Sequence, residues 1–360
     1  MDTRIIAFYL PQYHPFPEND EWWGKGFTEW TNVAKAKPLF RGHYQPHIPA
    51  DLGFYDLRLP QVREAQVELA KKAGISGFCY YHYWFGKMEL MQNIFNEVVD
   101  SRTPDFPFCL CWANESWYNK MWNKDGSVLQ KKTLVEQEYL GKEDNIKHFN
   151  SLLKAFKDSR YMKIDNRLIF MIYQPFQFKG LSEFMELWNQ LAKDNGLEGF
   201  YFIAYTFDID RDYDKLDAMG FDAICSCRLL KHDKSFAYTL KKNYWKLTKS
   251  PRRFAYKDIY KGLVGDKEKL DNVFPTLVPN WDHTPRSGSS GLVFTDAEPK
   301  YFKKHVLDVL DHIKDKPKEK QICILKSWNE WGEGNYIEPD RKYGLGYIDA
   351  LKEALDEFKK

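Results

Sequence analysis

Two glutamates near the C-terminus are the strongest candidates for chemistry. Glu330 and Glu333 lie three residues apart in the segment 328–333 (WNEWGE), directly after an apolar run that ends at Leu325. Cleavage of a glycosidic bond requires one carboxyl group to protonate the leaving oxygen and a second to act as base or nucleophile. If the segment turns helically, residues at i and i+3 share a face. We predict that both are catalytic, the alternative being that one is a solvated loop acid or an ion-pair partner.

The elements that must position this pair are apolar runs separated by helical patterns. This alternation is typical of repeated β-α units and a parallel sheet. About eight such runs occur, the number that a closed barrel needs: 5–10, 75–81, 108–112, 168–173, 200–205, 223–225, 274–278 and 322–325. Apolar residues at helical spacing predict helices over 59–72 and 181–192. We predict an α/β protein, a single (β/α)8 TIM barrel over residues 1–360 with long βα loops, in which the basic, aromatic segment 229–263 is an excursion.

Polar and aromatic residues cluster at or just after the predicted strands. In a TIM barrel the strand C-termini converge on the face that carries the active site. Aromatic rings stack on sugar C–H surfaces, and amide, hydroxyl and carboxyl groups bind sugar hydroxyls. We predict a carbohydrate substrate, and the predicted substrate-binding residues are Tyr9, Gln12, His14, Trp30, His82, Trp84, Trp112, Asn114, Glu115, Tyr173, Tyr205, Trp281, Asp282, Trp328 and Asn329.

Three acidic residues have more than one interpretation. Glu115, in the segment 112–117 (WANESW), competes for a catalytic role, and sugar binding or an ion pair explains it equally well. Glu29, in the long first loop, could line the same site. Asp282 could bind a hydroxyl or act as a carboxylate partner, whereas a loop-capping role is the alternative.

Charge and hydropathy limit the class of protein. Lys and Arg number 53 against 51 Asp and Glu, which leaves a formal charge of +2. This charge gives no field strong enough to imply a nucleic-acid or anionic-membrane partner. No apolar run reaches the roughly 18 residues that would suggest a membrane span. The N-terminal segment lacks the features of a secretion signal, and the six cysteines, whose short spacings are C-x-C, read as free thiols of a reducing compartment. We therefore expect a cytoplasmic protein.

The sequence predicts no metal and no cofactor. His14, His43, His47 and His82 stand near Tyr and Pro residues but form no H-E-x-x-H motif, which favours sugar hydrogen bonding over a metal centre. A nucleotide-sugar transferase is the rival class of enzyme. Its metal-binding D-x-D motif is found at residues 208–210, within the acidic segment 208–214 (DIDRDYD), but so short a motif is weak evidence, and no glycine-rich phosphate loop is present.

Three long blocks carry a family resemblance: residues 6–15 (IAFYLPQYHP), 21–33 (EWWGKGFTEWTNV) and 328–334 (WNEWGEG). With them the chain resembles the WbsX-type proteins, glycoside hydrolase family 99-like domains found among polysaccharide and O-antigen biosynthesis genes. The resemblance spans nearly the whole chain. Family 99 comprises endo-acting α-mannosidases and mannanases, and the resemblance implies its (β/α)8 barrel here.

The resemblance also implies roles for the two glutamates. The family motif Glu-Trp-His-Glu aligns with Glu330 to Glu333, and the family is retaining. By this resemblance Glu330 is the base that assists attack of the sugar 2-hydroxyl on C1, and Glu333 is the general acid and then base. The family histidine is replaced by Gly332. A glycosyltransferase and a non-catalytic glycan-binding protein remain alternatives.

Overall fold

The computed structural model describes residues 3–86, 88–122, 128–229 and 236–359. Eight parallel strands close into a barrel, in which each strand pairs with the next and the eighth pairs with the first. The strands are β1 (Arg4–Tyr9), β2 (Gly77–Trp84), β3 (Phe108–Trp112), β4 (Arg167–Ile172), β5 (Phe200–Thr206), β6 (Ala223–Ser226), β7 (Val273–Leu277) and β8 (Ile322–Leu325). The predicted (β/α)8 barrel is confirmed, and each predicted run overlaps one strand.

The barrel strands are buried along almost their whole length. In β4, the five residues that follow Arg167 are all buried, and in β5 all seven residues are. The parallel strands of a barrel are buried on both faces, by the side chains that fill the barrel and by the helices outside it. Their sequences are therefore continuous apolar runs. This is why strand positions could be read from hydropathy.

Helices cover the outside of the barrel and some of its loops. They are α1 (Pro17–Trp23), α2 (Glu29–Lys35), α3 (Pro60–Ala73), α4 (Gln92–Ser101), α5 (Lys142–Phe156), α6 (Leu181–Asp194), α7 (Ile209–Ala218), α8 (Phe236–Leu247), α9 (Tyr256–Ile259), α10 (Thr284–Ser287), α11 (Pro299–Ile313) and α12 (Gly346–Phe358). Helix α3 begins with Pro60 and ends at Gly74, whose φ of 84° suits a glycine after a helix. The helices predicted at 59–72 and 181–192 correspond to α3 and α6.

The loops that connect the barrel strands and helices carry shorter elements. In the part of the chain that the structure describes, six single turns of 3-10 helix are Pro175–Gln177, Tyr260–Leu263, Asp266–Lys269, Gly288–Ser290, Lys318–Lys320 and Trp331–Glu333. The further short strands are Glu89–Leu90, Trp117–Trp122, Val128–Val135, Lys163–Ile164, Arg252–Ala255, Leu292–Thr295, Asn329–Glu330 and Asn335–Tyr336. The segment 229–263, predicted as an excursion, carries α8, Arg252–Ala255 and α9 in its described part.

Asn329 joins the end of β8 to the end of β1. Its Oδ1 accepts the backbone N–H of Leu10 at 2.8 Å, and its Nδ2 donates to the Leu10 carbonyl at 3.1 Å. The Tyr13 hydroxyl donates to the Asn329 carbonyl at 2.6 Å and accepts the N–H of Trp331 at 3.0 Å. These bonds fix the chain on both sides of Glu330, so the turn that carries the two glutamates is held by the first loop.

Candidate active site

A cavity of about 610 Å³ opens at the carboxyl end of the barrel. Its volume falls in the range of small-molecule sites, about 300–1,000 Å³. The residues that line it are Leu10, Gln12, Trp23, Phe27, Glu29, Asn32, Lys35, Tyr81, Tyr83, Ala113, Glu115, Ser116, Trp117, Tyr118, Leu134, Tyr173, His283, Arg286, Ser287, Lys326, Glu330 and Glu333. Four carboxyl groups, three cationic side chains and several aromatic rings therefore surround one space.

Glu330 and Glu333 meet in this cavity because the chain turns directly after β8. The single 3-10 turn Trp331–Glu333 follows Glu330 and ends at Gly334, whose φ of 59° lies in the left-handed region. The backbone N–H of Asp282 donates to the Glu333 carbonyl at 2.7 Å and ties the turn to the loop after β7. Both glutamate side chains are largely buried, with exposures of 6% and 17%.

One guanidinium group binds three of the four carboxylates. Arg286 Nε donates to Glu29 Oε1 at 2.8 Å, Nη1 to Glu333 Oε1 at 2.8 Å, and Nη2 lies 2.9 Å from Glu330 Oε1. Burying like charges together is costly unless opposite charges compensate them. Arg286 supplies that compensation, and its planar fork fixes the orientation of all three carboxylates.

The two glutamates of the turn differ in electrostatic environment. Burial, together with the negative charge of Glu333, raises the pKa of Glu330, although Arg286 and Lys326 oppose this. Burial acts against ionisation of Glu333 as well, but the hydrogen bond from His283 and the charge of Arg286 hold its pKa well below the usual value. The Nε2 of His283 lies 3.4 Å from Glu333 Oε1. In this arrangement Glu333 is the ionised partner, and Glu330 takes up a proton more readily.

Lys326 follows β8 and is a second cation within the cavity wall. Its Nζ donates to the Tyr81 hydroxyl at 3.2 Å and lies 5.7 Å from the ring centroid of Phe8. Burial disfavours its charged form, but Glu333 and Glu330 raise the pKa of this ammonium. Lys326 therefore stays protonated and adds positive charge near the glutamate pair.

Glu29 fills the space beside Gly332. A Cβ atom on Gly332 would lie 1.9 Å from Glu29 Oε1 and 2.9 Å from Arg286 Nε. Any side chain at this position must therefore displace the Glu29–Arg286 ion pair. In this chain the Glu29–Arg286 ion pair thus occupies the space that a side chain at position 332 would need.

Glu115 and Tyr173 also line the cavity. Gln174 Nε2 donates to Glu115 Oε2 at 3.3 Å, and burial raises the pKa of Glu115. The Tyr173 ring stacks on that of Tyr205, with centroids 4.7 Å apart. Of the residues predicted from the sequence, Gln12, Glu115, Tyr173, Glu330 and Glu333 line the cavity, as does Glu29.

Four other residues predicted to bind substrate point from the strands toward the surrounding helices. The Tyr9 hydroxyl donates to Gln66 Oε1 on α3 at 2.7 Å. His82 contacts His148 on α5, with 2.7 Å between their Nε2 atoms, and Trp84 stacks on the same His148 ring with centroids 4.7 Å apart. Trp112 donates from Nε1 to the Trp84 carbonyl at 2.9 Å. None of these four side chains is among those that line the cavity.

Most of the remaining predicted residues pack against or bond to loops, and two of them line a second, smaller cavity. His14 is buried beside Phe16, the Trp30 indole donates to the Tyr55 carbonyl at 2.8 Å, and Trp328 packs on Phe78. The amide groups of Asn114 and Asn329 bond to neighbouring loop backbone.

Trp281 and Asp282 line a second cavity of only about 100 Å³. The carboxylate of Asp282 accepts from Gln45 Nε2 at 2.7 Å, and its Oδ2 lies 2.6 Å from His43 Nε2. We place the candidate active site in the larger cavity because the smaller one lies below the usual volume of a ligand site.

Tyr81, Tyr83, Lys326 and Arg286 line the cavity and were not predicted from the sequence. Tyr81 and Tyr83 alternate with His82 and Trp84 along β2, so the period-2 rule for strands could have indicated one pair or the other but not which pair faces inward. Lys326 could have been predicted, because it is a charged residue directly after the apolar run of β8. No such signal marked Arg286, because it lies in the short helix α10, outside the aromatic motifs.

The D-x-D triplet lies in the loop and first turn of α7. The Asp208 side chain accepts the N–H of Arg211, and Asp210 binds Arg228 through contacts of 2.5 and 2.7 Å. Within the described ranges, no group of three or more His, Cys, Asp or Glu residues is arranged to hold a metal ion. Across the same residues, no helix combines the length and apolar character that crossing a membrane requires.

Comparison with known proteins identifies the family and the fold. Residues 5–351 match the sequence model of the family described as Glycosyltransferase WbsX. Two proteins of Xanthomonas campestris pv. campestris, from strains B100 and ATCC 33913, both described as uncharacterized protein WxcX, are 32% identical over 356 residues, which is 99% of this chain. The chain spans about half the length of these curated relatives, since the matched region is 50% of each.

The similar solved structures share the barrel at low sequence identity. The GH99 endo-α-mannosidase from Bacteroides thetaiotaomicron has a TM-score of 0.61 and 14% identity, with 100% of this chain and 98% of the other covered. A structure described as a glycoside hydrolase-like protein has a TM-score of 0.56 and 15% identity, with 98% and 94% covered. The chain therefore has a GH99-like fold, and it belongs to the WbsX family.

Proposed function

We propose that the chain is a glycan-acting enzyme, a retaining glycoside hydrolase that cleaves an internal bond of a polysaccharide or O-antigen-type glycan. One observation carries the proposal: Glu330 and Glu333 meet on Arg286 in an aromatic-lined cavity of about 610 Å³ at the carboxyl end of the barrel. This is the end at which TIM barrels place their chemistry. The similar solved structure described as an endo-α-mannosidase supports the substrate class.

In the proposed reaction Glu330 removes the proton of the sugar 2-hydroxyl as that oxygen attacks C1. Glu333 donates a proton to the leaving oxygen, and afterwards takes one from the water that attacks C1 and opens the intermediate, while Glu330 returns its proton to the sugar O2. Such substrate assistance is a recognised exception to the usual two-carboxylate mechanism. Because His283 and Arg286 hold Glu333 ionised in the free protein, the acid role requires Glu333 to gain a proton when substrate binds.

The aromatic side chains supply the sugar-binding surface in this proposal. Tyr81, Tyr83 and Tyr173 lie on or next to barrel strands, whereas Trp23 ends α1 and Trp117 begins the short strand Trp117–Trp122. Trp23, which is 43% exposed, stacks on Phe27 with centroids 5.7 Å apart. Rings at these places can stack on sugar faces.

Product analysis of Glu330→Gln and Glu333→Gln tests the proposal. Each substitution removes an ionisable group without changing side-chain volume, so turnover should fall by about 100-fold or more. Wild type and both single variants are incubated with bacterial polysaccharides and α-mannans, and the products are analysed by mass spectrometry. Phe176→Ala, a substitution at an exposed position outside the cavity, is the control. Wild-type turnover in either glutamate variant would contradict the assigned roles.

A glycosyltransferase is the second candidate, supported by the description of the matched family. Such an enzyme requires an activated sugar donor. Calorimetry with nucleotide sugars distinguishes the two classes, because tight donor binding and transfer without release of free sugar would favour the transferase. Glycan binding that survives loss of both glutamates, with no product from wild type, would instead favour a non-catalytic protein.

A further inference from the structure

Helix α8 carries an exposed apolar stripe. Leu240, Tyr244 and Leu247 are spaced i, i+4 and i+7, which places them on one side of the helix. They are 53%, 57% and 84% exposed. Trp245 on the same helix is buried, and its ring lies 5.6 Å from that of Phe254. The helix is therefore attached to the protein through Trp245, while its stripe of large apolar side chains faces solvent.

The same segment is strongly basic. Residues 239–257 contain seven cationic side chains and no Asp or Glu: Lys241, Lys242, Lys246, Lys249, Arg252, Arg253 and Lys257. Lys241, Lys242 and Lys246 are exposed and enter no ion pair with a described residue. Since the whole chain carries a formal charge of only +2, this positive charge is local to the segment.

The segment lies at the end of the barrel where the cavity opens. It leaves the carboxyl end of β6, and its strand Arg252–Ala255 pairs with Leu292–Thr295. The Leu292 carbonyl accepts the backbone N–H of His283 at 3.0 Å, and His283 lines the cavity. The basic segment and the cavity wall are thus directly connected.

We propose that α8 docks on a membrane surface that contains anionic lipids. A helix with a basic, polar periphery and a stripe of Leu and Tyr lies in the plane of such a surface, with the apolar side chains among the acyl chains and the lysines at the headgroups. A nucleic acid would match the charge but would leave the apolar stripe without a partner. The combination of the two properties favours a membrane.

Docking through α8 orients the molecule. It brings the carboxyl end of the barrel toward the bilayer, so the cavity would open beside glycans attached to lipids. This last step rests on the proposed function, whereas the docking itself does not.

Sedimentation of the full chain with lipid vesicles tests the docking. We expect binding to vesicles of phosphatidylcholine with phosphatidylglycerol, little binding to phosphatidylcholine alone, and weaker binding as salt is raised. Lys241→Gln with Lys242→Gln should weaken binding about 25-fold, because each lysine near an anionic surface contributes about fivefold. Leu240→Ser with Leu247→Ser should also weaken it by removing apolar contact.

Matched controls separate this helix from general surface effects. Lys72→Gln with Lys352→Gln removes two exposed lysines from α3 and α12, and Leu59→Ser changes a leucine that is 53% exposed. These variants should bind as wild type does. Failure of wild type to bind anionic vesicles would overturn the proposal. So would a loss of vesicle binding in the control variants equal to that in the α8 variants, or binding of wild type to single-stranded RNA but not to vesicles. Because no step requires turnover, the result is independent of the glycosidase experiment.

Discussion

At the scale of single residues, Arg286 determines the state of the glutamate cluster. It contacts Glu29, Glu330 and Glu333 at distances of 2.8 to 2.9 Å, and all three carboxylates are largely buried. Without the guanidinium, their mutual repulsion and burial would favour protonation. A loop residue after β7 thus controls the ionisation of groups that come from the first and last βα loops.

Arg286→Met should destabilise the fold strongly at neutral pH. Removing one partner of a buried ion pair typically costs about 3–5 kcal/mol. The lowered pKa of Glu333 means that its stabilising contribution in wild type is present above the pKa of the unfolded chain, about 4.3, and is lost only below that pH. In the variant the carboxylates that have lost the guanidinium take up protons as pH falls, which relieves their repulsion. The difference in unfolding free energy between wild type and variant should therefore narrow from pH 7 to pH 4 in urea unfolding.

The control for Arg286 is Arg58→Met, which breaks an exposed pair with Asp56. Exposed pairs contribute at most about 1 kcal/mol. The difference in unfolding free energy between wild type and Arg286→Met could instead stay constant between the two pH values. That result would show that lost packing, not lost charge compensation, explains the destabilisation.

Gly332→Ala tests the close approach of Glu29. The new Cβ would meet Glu29 Oε1, so the Glu29–Arg286 pair must move. Overpacking of this kind costs about 1–3 kcal/mol, measurable by chemical denaturation, and should also reduce turnover. Gly262→Ala is the control, since its Cβ would meet no atom within 4 Å. Equal unfolding free energies for Gly332→Ala and wild type would contradict the packing seen around Glu29.

At the scale of elements, β2 explains why the candidate site was only partly predicted. Its run of aromatic and histidine residues indicated a strand, and the strand is present. Successive side chains of a strand point to opposite faces, so Tyr81 and Tyr83 line the cavity while His82 and Trp84 contact α5. Both faces are aromatic, and only the closure of the barrel determines which of them is inside.

The hydrogen bonds through which Asn329 joins the end of β8 to the end of β1 lead to a prediction for Asn329→Ala. Asn329 bonds to both the N–H and the carbonyl of Leu10. Each buried group that loses its partner costs about 1–3 kcal/mol, so we expect a marked loss of stability in thermal or chemical unfolding. Asn150→Ala, a change at an exposed residue of α5, should cost far less. A fully stable Asn329→Ala variant with impaired sugar binding would instead support a direct role in binding.

At the scale of the whole molecule, hydropathy predicted the barrel because each strand is local and continuously apolar. The cavity depends on contacts between distant parts of the chain, such as Glu29 with Arg286, which local patterns do not encode. Net charge was also a poor guide, because a total of +2 conceals the basic segment around α8. The glutamate pair was predictable because both residues lie in one short motif.

Acid should weaken the fold through buried histidines. Burial lowers the pKa of His82 to about 3, and that of His148 is also lowered. A histidine with a lowered pKa in the fold takes up protons more readily when unfolded, so stability falls as pH decreases below about 6.5.

His148→Phe retains a ring between Trp84 and Trp188 and removes one of these titrating groups. It should be less stable than wild type at pH 7.5, with a deficit that shrinks by up to about 1.4 kcal/mol per unit as pH falls below 6.5. His312→Phe, at a less buried position, is the control. A deficit independent of pH in guanidinium unfolding would contradict the neutral state inferred for the buried pair.

The glutamate pair and the outer wall of the cavity come from separate stretches of sequence. Glu330 and Glu333 follow β8, whereas Trp117, Tyr118 and Leu134 belong to a hairpin inserted after β3. Mutations in that hairpin can reshape the entrance without touching the turn that bears the carboxylates. Under the proposed function, changes in the hairpin would alter which glycans fit the cavity while the two glutamates keep their proposed roles, because the two parts of the site come from separate segments of the chain.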